Sequence, residues 1–142
     1  VLAAVLLLSG CGGAKSSAPT QAQFVARANA ICAAGLRSAA HLKSPRSAAE
    51  LLPFSEHTSA IVSTLASELD GVTPPSSSRV AYTRFLKTLA REAHLLDEVV
   101  TGLRTRSALR ARRALEGLNS NAVNQQAQAL GIAECARTIS SG

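Results

Sequence analysis

The chain has 142 residues, of which 46% are hydrophobic, a length and composition that suit one folded domain and exclude a disordered chain. Aromatics make up only 3%, with no Trp, which argues against a β-sandwich and against an aromatic platform for sugars or bases. A net charge of +6 brings anionic partners, nucleic acid or a membrane surface, into consideration.

Val1 to Leu8 form an apolar run, followed by Ser9, Gly10 and Cys11. The run is too short for a membrane span of about 20 residues and fits the apolar region of an export signal. No basic segment precedes it, so a start further upstream is expected. Leu8-Ser9-Gly10-Cys11 resembles the bacterial lipobox, in which diacylglycerol is attached to the Cys sulfur before cleavage. The resemblance implies that residues 1–10 are a lipoprotein signal peptide and that Cys11 is the lipidated first residue. The protein would then sit on the extracytoplasmic face of the cell membrane. Residues 11–19 are small and polar and read as a tether, leaving 20–142 as the folded domain.

With Cys11 lipidated, Cys32 and Cys135 remain, and an even remainder in an exported protein reads as a disulfide. The alternative is two buried free thiols. Neither Cys belongs to a CxxC pair or has a nearby His, so the spacing does not suit zinc.

The domain begins with Thr20 and Gln23 as a capping box, then Phe24, Ala28, Ile31, Cys32, Gly35, Leu36, Ala39 and Leu42 at helical spacing. Ser44-Pro45 ends that helix. Ser47 and Glu50 suggest a second box, with Leu51, Phe54, Thr58, Ile61, Val62, Leu65 and Leu69 as the stripe that follows. Pro53 lies inside it and predicts a kink or a short first helix. Gly71 to Pro75 is the clearest break. Ser77 or Ser78 opens the third and longest stripe: Val80, Phe85, Leu86, Leu89, Ala93, Leu96, Val99, Val100 and Leu103. The pattern falters around Arg104 to Ser107. A fourth stripe runs through Ala108, Ala111, Leu115, Leu118, Ala122, Gln125 and Ala129 to Gly131, a natural left-handed stop against which Ile132 packs back. The expected fold is all-α, an up-down-up-down bundle of about four helices tied by one disulfide. The end of the fourth helix should lie beside the start of the first, bringing Cys135 to Cys32.

Phe24-x3-Ala28-Asn29-Ala30-Ile31-Cys32, Pro74-Pro75 and Ala129-Leu130-Gly131-Ile132-x2-Cys135 resemble a group of small exported actinobacterial helical proteins, many of them lipoproteins, whose activity is uncharacterised. The resemblance covers most of the mature chain. It implies a paired-Cys helical scaffold in an actinobacterial envelope and carries no catalytic signature. The Arg104-Thr105-Arg106 segment departs from the tight turn expected between the last two long helices.

Catalytic and metal candidates are sparse. His41, His57 and His94 form no HExxH or HxH pattern, and no GxSxG is present. Adjacent Glu56 and His57 point about 100° apart on a helix. His94 and Glu98, four apart, share a face as a surface pair or as half of a metal site. No enzyme activity, cofactor or metal is expected. Arg104, Arg106, Arg110, Arg112 and Arg113 crowd one stretch without an acid. They read either as a solvated face, partly neutralised by Glu116, or as a contact for anionic lipid headgroups or an acidic envelope polymer. Nucleic acid is disfavoured by the export address and the missing aromatics.

The leading functional expectation is a lipid-anchored, non-catalytic interaction or scaffold protein of the cell envelope. The alternative is an extracytoplasmic carrier of a small apolar or lipid ligand. The small residues Ala28, Gly35, Ala39, Ala93 and Ala122 either leave room between helices for such a ligand or let the helices approach closely.

Overall fold

A computed structural model describes residues 18–137. The lipobox with Cys11, most of the tether and Ile139, which lies in the final segment, fall outside the described residues. Helix α1 (Gln21–Ala40) starts as its cap predicts: the Gln23 N–H donates to Thr20 Oγ1 at 3.2 Å, and the Thr20 N–H donates to Gln23 Oε1 at 2.9 Å. Helix α2 (Ala48–Asp70) departs from its predicted box. Ser47 caps with no side-chain bond, and Glu50 instead accepts from the Arg46 N–H at 2.7 Å. Nor does Pro53 shorten this helix, which runs unbroken through it. The N–H that Pro53 lacks would have bonded to the Ala49 carbonyl, so a single bond near the helix start is forgone.

Pro75 is extended, and a 3-10 turn at Ser76–Ser78 leads into helix α3 (Arg79–Arg104). Helix α4 (Ala108–Gly117) follows after a tight turn. The fourth stripe is not one helix. It stops at Gly117, passes through extended Leu118 and restarts as helix α5 (Ser120–Ala129), with the Ala122 N–H donating to Asn119 Oδ1 at 3.2 Å. Gly117 and Asn119 supply a stop and a cap, and these outweigh the apolar spacing that runs across them. Leu115, placed on the stripe by spacing, is 55% exposed, while Ala111, Ala114 and Ala127 are buried.

The fold is all-α, with no strand among the described residues, and its helices pack in chain order: α1 on α2, α2 on α3, α3 on α4. Helix α5 packs against α3 and against a short 3-10 tail at Ala133–Ala136, and that tail packs against α1. The core gathers Phe24, Leu69, Tyr82, Phe85, Leu89, Ala127, Leu130 and Ile132 around Cys32. Three of the four aromatics meet there, Phe24 edge-on to Tyr82 with centroids 4.9 Å apart and Tyr82 stacked with Phe85. Tyr82 satisfies its buried hydroxyl by donating to the Leu69 carbonyl at 2.7 Å.

The start of α1 does lie beside the end of α5. Gln21 Nε2 donates to the Leu130 carbonyl at 3.3 Å, and the Glu134 N–H donates to Asn29 Oδ1 at 3.0 Å. Cys32 and Cys135 are disulfide-bonded, with Cα atoms 5.0 Å apart. Gly131, at φ 77°, ends α5 as its sequence position predicts, and Ile132 is fully buried beyond it.

Candidate functional site

The bundle leaves a groove of about 420 Å³ between its first three helices and the link that joins α4 to α5. Helix α1 gives it Cys32, Gly35 and Leu36, and α2 gives Ile61, Val62 and Leu65. Leu89, Glu92 and Leu96 of α3 form another wall. Leu118 from the extended link and Val123 from α5 close it, with the disulfide partner Cys135 alongside. The break that the fourth stripe concealed is therefore what delivers Leu118 to the wall. Glu134 and Arg137, paired at 3.0 Å, stand among the polar residues that complete the lining. A concave, mainly apolar site with few polar groups and a volume in the small-molecule range is suited to holding an apolar ligand.

Glu92 is the exceptional wall residue. It is only 8% exposed, and both its carboxylate oxygens accept from the Asn119 N–H at 3.0 Å. Asn119 is the cap of α5, so a carboxylate stands at the positive end of that helix, where it is favoured. No salt bridge reaches Glu92 among the described residues. Sequence reasoning passed over it. The available signal was its place on the third stripe, three after Leu89 and four before Leu96, where an acid interrupts an apolar row.

Of the small residues expected to make room, only Gly35 lines the groove. Ala28 and Ala39 are buried in helix packing, while Ala93 and Ala122 are half-buried away from it.

The arginine-rich stretch is largely paired. Arg104 meets Glu56 at 2.8 Å, Arg112 meets Glu116 at 2.7 Å, and Arg110 forms a two-pronged pair with Glu98 at 2.7 and 2.9 Å. The Arg110 hydrogen bond holds the Glu98 carboxyl below the usual carboxylate range, and the charges of Arg110 and His94 act in the same direction against desolvation. Glu98 thus turns to Arg110 rather than forming a site with His94. Arg106 lies in the turn after α3 at φ 54°, and neither it nor Arg113 forms an ion pair among the described residues. Glu56 is engaged by Arg104, while His41 and His57 line a separate surface depression with Glu50, Lys43 and Arg46. No group of three or more His, Cys, Asp or Glu among the described residues is placed to hold a metal ion.

No protein-family model matches this chain, no curated protein is significantly similar to it, and no solved structure matches it. It is a small all-helical domain tied by Cys32–Cys135.

Proposed function

We propose that this chain is a lipid-anchored binding module of the cell envelope, and that its helical domain carries a small apolar ligand in the groove. The apolar cleft of about 420 Å³ walled by α1, α2, α3 and Leu118 carries the reading. The address rests on Leu8-Ser9-Gly10-Cys11 and its likeness to a lipobox, and on the likeness to exported actinobacterial lipoproteins. A long-range disulfide supports the same address, because such bonds persist outside the reducing cytosol.

Native mass spectrometry of protein extracted from its own host tests the carrier reading. A co-purifying lipid or apolar metabolite is expected, and its absence from several preparations would overturn the proposal. Cys11→Ser should move the protein out of the membrane fraction and leave the fold unchanged.

A second reading, an interaction module for anionic headgroups or an acidic envelope polymer, draws on α4. Leu109 and Leu115 are exposed there beside Arg112 and Arg113, a mixture that suits a charged interface. Co-sedimentation with phosphatidylglycerol vesicles, lost on Arg106→Ser and Arg113→Ser, is its expected signature.

A further inference from the structure

We propose that the groove selects an apolar amine, seating its ammonium head against Glu92 and its hydrocarbon body against the walls. The inference rests on the carrier reading and specifies the ligand's chemical class. Glu92 lines the groove yet is 8% exposed, and its two oxygens share one backbone donor, the Asn119 N–H. A carboxylate has about four acceptor positions, so most of its hydrogen-bonding capacity is unused. No cation pairs with it among the described residues, and the one cationic wall residue, Arg137, is engaged by Glu134 at 3.0 Å. The partial positive end of α5 and one neutral donor face a full negative charge, beside a wall of Leu89, Leu96, Leu118 and Val123 with Ser120 and Asn124 at its polar edge, so no full countercharge meets Glu92 among the described residues. An ammonium group supplies both the missing charge and the missing donors. A fatty acid of the same length would place a second carboxylate beside the first. An alcohol supplies one donor and no charge. The rank order expected is amine, then alcohol, then acid.

The probes are dodecylamine, dodecanol and dodecanoate, each titrated calorimetrically below its aggregation limit. The protein is the full chain bearing Cys11→Ser, so that no detergent competes for the groove. Dodecylamine should bind about tenfold or more tighter than dodecanoate, the equivalent of one charge-assisted hydrogen bond. Glu92→Gln keeps an acceptor for the Asn119 N–H, and it should erase the preference for amine over acid. Equal binding of amine and acid by the unaltered groove, or a preference that survives Glu92→Gln, overturns the assignment to Glu92 and leaves the carrier reading standing. Failure of all three probes to bind overturns the groove as a ligand site and this inference with it. If Glu92→Gln does not fold, the amine-to-acid ratio measured with Glu92 in place decides alone.

Discussion

Two helix ends use the same backbone device with different residues. At the end of α5, the Gly131 N–H donates to the Gln128 carbonyl at 2.9 Å and the Ile132 N–H to the Ala127 carbonyl at 3.0 Å. At the end of α3, the Arg106 N–H donates to the Leu103 carbonyl at 3.2 Å and the Ser107 N–H to the Gly102 carbonyl at 2.8 Å. Both are Schellman caps, which require a left-handed residue and favour glycine there. Arg106 adopts φ 54° with a Cβ that opposes it. Arg106→Gly should therefore raise stability by about 0.5–1 kcal/mol, and Gly131→Ala should lower it by about 1–2 kcal/mol. Urea midpoints of the two variants check this, and a destabilised Arg106→Gly would show that the arginine side chain outweighs its backbone strain. Tyr82 gives a pH test. Burial, reinforced by the charge of Asp70, pushes its phenol up to about 12 from an ordinary value near 10. The folded state thus retains a proton that the unfolded chain releases above pH 10. Stability is unaffected below that point and falls as pH rises toward 12. Tyr82→Phe should flatten this alkaline loss while costing about 1 kcal/mol at neutral pH through the lost bond to Leu69.

Between elements, α3 comes very close to α4 at Gly102. A Cβ there would lie 2.6 Å from the Ala111 backbone nitrogen and 2.9 Å from its Cβ, and neither atom can move without shifting α4. Gly102→Ala should cost about 1–3 kcal/mol. Gly35→Ala should cost far less, because its Cβ meets only the end of Leu65 at 3.4 Å. Thermal unfolding of the pair separates close packing from general helix effects. The starts and stops of α1, α2 and α3 were legible because the Thr20 cap, Pro45, the Gly71–Pro75 break and the faltering stripe after Leu103 punctuate the chain locally, although neither Ser47 nor Ser78 caps through its side chain. The break between α4 and α5 was hidden because Leu115, Leu118 and Ala122 keep helical spacing across it. In fact Leu115 faces solvent and Leu118 turns into the groove. Val80 shows the same weakness of spacing, placed on a stripe yet 75% exposed. The arginine stretch was legible as composition only. Its main partners Glu56 and Glu98 come from other helices, and nothing local announces them. The groove was less legible still, since its walls come from six segments and its acid, Glu92, resembles any surface glutamate until α5 is seen to cap on it.

For the molecule as a whole, Cys32–Cys135 ties the first helix to the tail that follows the last. The two residues are separated by 103 positions, and a loop of that length corresponds to roughly 4–5 kcal/mol of unfolded-state entropy in the chain-entropy model. Other ties between the same ends are modest: buried Ile132, the Gln21–Leu130 bond and the Asn29–Glu134 bond. Cys32→Ser or Cys135→Ser should each lower stability by roughly 2–5 kcal/mol. The double variant should lose little more than either single one, because all three break one bond. A reducing agent should reproduce the loss in the unaltered protein and leave the double variant unmoved, which separates loss of the bond from repacking around serine. Because both cysteines also line the groove, the same variants should weaken capture of an apolar probe in parallel with stability. Probe binding that persists at full strength in a destabilised but folded variant would place the ligand elsewhere. Mass spectrometry of the non-reduced protein reads the bond directly, and two thiols free to alkylate under oxidising conditions would remove the tie that holds this tail to α1.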